Sequence, residues 1–260
     1  MILLLQSRTD ISGPHEVKCF YKFCKIPYNK YFLLNLASPK VTKSLVEDLI
    51  SRSKGVILGG LAEGGYEDFE DPSVSQEKKD RLRKTIEFVT PIIFDLIKED
   101  IPTIAICFGH QLVLKELGGT LTFDPKYAET GIFKIYTTKE AANDPVFDNM
   151  QPEFWAVLGH KTSVLTLPKK PKFPIKHLAY SKASPVQAVK VNNKFYSVQF
   201  HPELDKDELV YRLQFYPSYI QNNPDAINKL PDVKVDAPKI LINWLRNVVE
   251  NNNVMEQTPL

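Results

Sequence analysis

Short apolar runs alternate with longer amphipathic stretches through the first half of the chain. The runs at 2–5, 31–36, 55–58 and 104–106 carry few polar residues and read as strands, the first of them buried. Between them lie helix candidates. Thr42 is placed to cap a helix whose Leu45, Val46, Leu49 and Ile50 recur at helical spacing. A longer helix is predicted over 76–98, with Leu82, Ile86, Val89, Ile93 and Leu96 on one side and Pro91 expected to kink or break it. A third spans 110–117, closed by Gly118-Gly119. Strands that alternate with helices predict βαβ units and a parallel sheet covered on both faces.

The second half is richer in strands, at 121–123, 132–137, 154–158, 186–191 and 195–200. The last two are joined by Asn192-Asn193, a turn pair that tolerates positive φ. Two helices are expected at 207–215 and 238–249. The stretch 216–237 holds three prolines with several Asn and Asp and reads mostly as loop. Residues from 251 onward are expected to fray. The pattern predicts an α/β fold with a mostly parallel open sheet flanked by helices. It would form one domain over 1–204, with a helical extension over 205–260 packed on that domain.

Composition mainly excludes. The 260 residues carry 33 Lys and Arg against 31 Asp and Glu, a formal net charge of +2. That balance argues against a nucleic-acid or anionic-membrane binder. Three cysteines, Cys19, Cys24 and Cys107, do not suit a secreted disulfide framework, and a reducing, cytoplasmic setting is expected. The five apolar residues at the start are too few for a signal-peptide core, and no run approaches the roughly 20 needed to span a bilayer.

The chemistry concentrates in three places. In Ala105-Ile106-Cys107-Phe108-Gly109-His110-Gln111 an apolar strand runs straight into a helix, with Cys at the junction and Gly two residues on. This is the layout of a nucleophile elbow, with the side chain lifted to a helix N-terminus where the macrodipole favours an anion. Ser197-Val198-Gln199-Phe200-His201-Pro202-Glu203 ends a strand with a base and, two residues on, a carboxylate to orient it. Gly59-Gly60-Leu61 follows the third strand and can turn a backbone N–H toward a reacting carbonyl. Each element alone has a plainer reading: a buried structural cysteine, a surface histidine, a flexible loop.

Together, in this order, they resemble the class I (triad) glutamine amidotransferases, and among these the free-standing proteins similar to the amidotransferase domain of GMP synthase. Glu129-Thr130-Gly131 and the segment from Gly159-His160-Lys161-Thr162 to Leu167-Pro168 extend the likeness. The resemblance implies a flavodoxin-like sheet and an acyl transfer from glutamine through a glutamyl thioester. Cys107 would be the nucleophile, His201 the base and Glu203 its orienter. The backbone N–H groups of Gly60 (or Leu61) and Phe108 would form the oxyanion hole, and Gly59, Gly109, Gln111 and His160 would lie against substrate. It implies no metal or organic cofactor. It also implies a separate synthetase as ammonia acceptor, because no pyrophosphatase loop or Walker motif is found. Two positions depart from the family pattern. Ala105 stands in place of Gly two before the cysteine, and Thr162 in place of Asp two after the pocket histidine. The second departure bears on recognition of the substrate amino group or of the partner. A stand-alone γ-glutamyl hydrolase or peptidase and a non-catalytic binding module remain as alternatives. Cys19 and Cys24, with no metal-ligand motif beside them, read as structural.

Overall fold

A computed structural model describes residues 1–25, 28–60, 65–216 and 227–251. In chain order the strands and helices are β1 (Ile2–Gln6), α1 (Ser12–Cys24), β2 (Tyr31–Asn35), α2 (Lys43–Ser51), β3 (Gly55–Leu58), α3 (Gln76–Lys98), β4 (Thr103–Ile106) and α4 (Phe108–Glu116). They continue as β5 (Thr120–Thr122), β6 (Glu129–Thr137), β7 (Glu153–His160), β8 (Ser163–Thr166), β9 (Ile175–Ser181), β10 (Ala188–Val191), β11 (Phe195–Val198), α5 (Lys206–Leu213) and α6 (Pro238–Trp244). Among the described residues, nine strands form one open sheet in the order β2-β1-β3-β4-β11-β10-β9-β6-β7, and β5 pairs with β8 apart from it. The first five in that order run parallel, as the alternating pattern predicts. The other four extend the sheet antiparallel from the β10–β11 hairpin, whose Asn192 takes the positive φ its turn requires.

Strands β1, β3 and β4 are buried along their whole length because both faces of the parallel block are covered. Successive side chains divide between two apolar clusters. Leu3, Leu5, Val56, Leu58 and Ala105 pack under α2, α3 and α4. Leu4, Ile57, Ile104 and Ile106 pack on the opposite face. There they meet Phe20 of α1 and Ile240, Leu241 and Trp244 of α6, so the C-terminal helix shares the core of the sheet.

Several expectations are corrected. Helix α3 runs unbroken through Pro91. The proline forfeits about 3 kcal/mol of helix stability, but Val89, Ile92, Ile93 and Leu96 are buried on both sides of it, each worth about 1.5–3 kcal/mol. Helix α1 and strands β8 and β9 arise where none was expected. The hairpin strands are shorter than the apolar runs that suggested them. The expected helix at 238–249 is α6, followed by a π-helical turn over Leu245–Glu250.

Helix α4 ends as its glycines suggest, with Gly118 at φ +96°. At Gly119 a Cβ would lie 2.8 Å from the Leu114 carbonyl oxygen and 2.9 Å from that of Thr166. Both obstacles are backbone. Gly119→Ala is therefore expected to destabilise the protein by about 2 kcal/mol. A urea midpoint equal to that of the parent would contradict this.

Candidate active site

Cys107 sits where β4 hands over to α4, with φ 55° and ψ −103°. A non-glycine residue in that region carries strain of about 1–3 kcal/mol and persists only where its surroundings hold it. Here the Cys107 N–H donates to the Val198 carbonyl at 2.8 Å, and its carbonyl accepts from Gln111 N–H at 3.1 Å. Gly109 packs closely under the same turn. A Cβ there would lie 3.2 Å from the Ala105 Cβ and 3.3 Å from Leu58 Cδ2. The methyl of Ala105 is thus accommodated because position 109 has no side chain. His110 plays a different part. It is wholly buried, shares a 2.9 Å hydrogen bond with Ser197 Oγ, and burial pushes its pKa down to about 3, so it ties α4 to the sheet as a neutral ring.

His201 lies just beyond β11, fixed by its N–H donating to the Val157 carbonyl at 2.8 Å. Its Nδ1 meets Glu203 Oε1 at 2.8 Å. Burial alone would lower the His201 pKa. The Glu203 carboxylate and then Cys107, by charge and by hydrogen bonding, push it up instead to about 9. Glu203 is fully buried, which disfavours its charge, yet His201 and the Arg212 guanidinium hold its carboxyl well below the usual range. Arg212 Nη1 donates to the same Oε1 at 2.8 Å. The structure thus brings Cys107, His201 and Glu203 together in the order thiol, imidazole, carboxylate.

Gly60 lies against this pair. A Cβ on it would be 3.8 Å from both Cys107 Cβ and His201 Cε1. Phe108 opens α4, so its N–H has no partner within the helix. Leu61 lies outside the described residues. The glycines at 59 and 109 answer packing needs: a Cβ on Gly59 would sit 2.9 Å from Glu16 Oε2, as one on Gly109 would press on Ala105. Glu16, on α1, also takes the Arg8 guanidinium at 2.9 Å and Gln6 Nε2 at 2.7 Å.

A cleft opens over Cys107 and His201, and Arg8, Glu67, Gln111, His160 and Lys161 are among the residues that line it. Gln111 Nε2 donates to the Thr162 carbonyl at 2.9 Å and to Gln199 Oε1 at 3.2 Å, and Gln199 Nε2 reaches Cys107 Sγ at 3.7 Å. His160 ends β7, buried, with Nδ1 at 3.1 Å from the Thr162 carbonyl and Nε2 at 3.4 Å from Glu129 Oε2. The hydroxyl of Thr162 donates to Glu67 Oε2. A carboxylate therefore reaches the corner where Thr162 departs from the family pattern, carried by the turn Tyr66–Phe69.

Sequence reasoning missed Arg8, Glu67, Gln199 and Arg212. Gln199 alone had a local signal, two residues before His201. It also missed that α1 and α5 bring His15, Cys19 and Glu208 within 4.8 Å of one another, buried. These are metal-ligand types. However, Arg212 Nε points at His15 Nδ1, 3.3 Å away, and has only a proton to offer. Nδ1 must accept, so the ring proton sits on Nε2, facing Glu208 Oε2 at 2.7 Å where a cation would have to lie. The cluster fits a hydrogen-bond network, not a metal. Among the described residues no helix is long and apolar enough to cross a membrane.

An open α/β sheet with a cysteine at a strand–helix turn, an imidazole and a buried carboxylate beside it suits cysteine-dependent acyl transfer. Residues 72–213 match the sequence profile of the family described as Glutamine amidotransferase class-I, and the chain belongs to that family. It is 38% identical over 115 residues to a glutamine-hydrolyzing GMP synthase subunit of Methanococcus aeolicus, covering 43% of this chain and 56% of that one. It is 30% identical over 212 residues to the glutamine-hydrolyzing GMP synthase of Malacoplasma penetrans, covering 81% of this chain and 35% of that one. The chain thus spans roughly half and a third of these relatives' own lengths. A crystal structure of a glutamine amidotransferase from Thermotoga maritima shares the fold, with a TM-score of 0.70 at 17% identity over 96% of this chain and 98% of that one. So does a glutamine amido transferase from Methylobacillus flagellatus, with a TM-score of 0.63 at 16% identity over 95% and 94%.

Proposed function

We propose that this protein hydrolyses the side-chain amide of glutamine and supplies the ammonia to a separate synthetase subunit. The observation that carries this is Cys107, strained onto the start of α4, with the His201–Glu203–Arg212 line behind it. The Cys107 thiolate adds to the amide carbon, and the oxyanion is held by the Phe108 and Gly60 N–H groups. His201, as imidazolium, gives its proton to the leaving nitrogen, and ammonia departs from a glutamyl thioester. Water then adds to the thioester carbon and loses its proton to His201. The C–S bond breaks to give glutamate and the original thiolate. Every proton in this cycle is handled by His201, and Glu203 stays ionised throughout.

The cleft suits a small zwitterion. Arg8 and Lys161 supply positive charge, and Glu67 is the one carboxylate among its described lining residues. In this reading Glu67, steadied by Thr162, receives the substrate α-ammonium. The names of both relatives support glutamine as substrate, and the Methanococcus aeolicus relative, named as a subunit, supports an acceptor on another chain.

The test is incubation with glutamine, alone and with a candidate synthetase, scored for glutamate and ammonia in equal amounts. Cleavage of γ-glutamyl peptides with glutamine untouched would replace this reading by that of a γ-glutamyl hydrolase. Glu67→Gln is expected to raise KM for glutamine about tenfold with little change in kcat, as loss of a ground-state charge contact does. An unchanged KM would remove Glu67 from the substrate site.

A further inference from the structure

Behind His201 a line of buried polar side chains continues out of the site and into the packing between α1 and α5. Glu203 Oε1 accepts from His201 Nδ1 and from Arg212 Nη1, both at 2.8 Å, while Glu203 Oε2 is buried with no hydrogen-bond partner among the described residues. The orientation of the carboxylate therefore rests on one oxygen, and on the guanidinium that holds it. Arg212 is itself held from the far side, where its Nε donates to His15 Nδ1 at 3.3 Å. His15 in turn gives its Nε2 proton to Glu208 Oε2 at 2.7 Å, and Lys22 Nζ lies 3.1 Å from the other Glu208 oxygen.

We propose that Arg212 is a positioning residue for the Glu203–His201 pair, and that His15 aims Arg212, so that α5 and α1 brace the reacting centre from behind. This rests on the reading of Cys107, His201 and Glu203 as a working triad.

The chemistry of each member favours a fixed arrangement. Arginine has five donors and no acceptor, so His15 can meet it only through an unprotonated Nδ1. Burial lowers the His15 pKa, and although Glu208 opposes this, the Arg212 and Lys18 cations add to it, so the ring stays neutral in a single tautomer. The ring is also held by its neighbours, with Tyr211 at 4.8 Å and Phe215 at 6.4 Å between centroids. Cys19 completes the surroundings at 3.3 Å from His15 Nε2, and burial pushes its thiol pKa far up, so it stays uncharged. His15 and Cys19 lie one turn apart on α1, as Glu208 and Arg212 do on α5, so two helix faces at i, i+4 spacing build the brace. The charged groups around Glu203 are then His201 and Arg212 in contact, with Arg8 contributing at longer range.

The test uses the full-length protein and two readouts, steady-state glutamine hydrolysis and the pH dependence of Cys107 alkylation by iodoacetamide, followed by peptide mass spectrometry. Alkylation reports the Cys107–His201 pair directly and needs no turnover. Removing a nearby cation raises the pKa of every group it faced. Arg212→Gln should therefore move both limbs of the alkylation profile to higher pH and lower kcat about 30-fold, with KM within about threefold. Arg212→Lys should restore the limbs and most of the rate, because it keeps the charge. His15→Gln, whose amide oxygen can accept from Arg212 Nε, should lose less than His15→Phe, which cannot. Unmoved limbs with kcat within threefold in a folded Arg212→Gln would overturn the proposal, as would equal losses in the two His15 variants. If Arg212→Gln does not fold, the Arg212→Lys variant and the His15 pair still decide it. A profile that ignores His201→Ala would overturn the triad itself, and this proposal with it. A profile that responds to His201→Ala but not to Arg212→Gln would overturn only the role of Arg212.

Discussion

Cys107→Ala is expected to lower glutamine hydrolysis by at least about 10³-fold while the protein stays folded. The size follows from the mechanism. Without the sulfur no thioester forms, and the oxyanion donors and the cleft retain only the acceleration that comes from binding and electrostatics. The fold should survive because alanine meets the positive φ at 107 no worse than cysteine does, and the two backbone hydrogen bonds that hold the turn remain. A melting temperature within a few degrees of the parent, measured on the same preparation, separates lost chemistry from lost structure. Cys107→Ser should be nearly as inactive, since the hydroxyl is a poorer nucleophile than a thiolate at neutral pH. Retained turnover in Cys107→Ala would sink the mechanism.

Glu203→Gln is expected to have the next largest effect, and on two properties at once. Its carboxylate is the buried partner of both Arg212 and the His201 imidazolium. Removing one partner of a buried ion pair costs about 3–5 kcal/mol, because the other charge is left unpaired. Turnover should fall about 10²–10⁴-fold, since a neutral amide can still accept from Nδ1 but no longer supplies the charge that stabilises the protonated imidazole. The pH dependence gives a sharper signature. The pKa of Glu203 is depressed in the folded protein, so its contribution to stability is present above the ordinary carboxylate value of 4.5 and is lost as pH falls through the depressed one. His201 is the reverse case. Its pKa is raised from 6.5 to about 9, so its contribution is full below 6.5 and fades as pH rises through about 9. In the Glu203→Gln variant no carboxylate opposes burial, and the His201 pKa falls. The decline in melting temperature between pH 6.5 and 9 attributable to His201 should then shrink, with only the Cys107 contribution left. If it persists unchanged in Glu203→Gln, the carboxylate is not what holds the imidazolium.

The elements that sequence made legible are those whose demands are local. A strand that must turn at once into a helix, and a Gly that must sit under it, leave a mark at 105–111 that needs no knowledge of the rest of the chain. The His201-Pro202-Glu203 run is equally local. Arg212 and Arg8 left no such mark, because their roles depend on which way α5 and the end of β1 face after folding. Helix α1 escaped for a related reason. Its buried face mixes His15, Glu16 and Ser12 with Cys19 and Phe20, so the usual apolar stripe is interrupted by the polar groups that serve the site. Strand β9 was hidden likewise, its IKHLAYS segment setting Lys176, His177 and Ser181 among the apolar residues. The replacement at Thr162 was visible, but its compensation was not. Glu67 lies 95 positions away in the chain and meets Thr162 only across the cleft.

The close approach of positions 105 and 109 has a consequence for how this turn can change over generations. A methyl at each site would set two carbons 3.2 Å apart, a tight contact, and here Ala105 carries the one that is present. A first side-chain carbon at 109 would press on Leu58 Cδ2 at 3.3 Å as well, so loss of the methyl at 105 would relieve only part of the crowding. Tolerance at 109 therefore depends jointly on positions 105 and 58, and a substitution there is coupled to both. In this chain the glycine stands on the helix side of the cysteine and the methyl on the strand side.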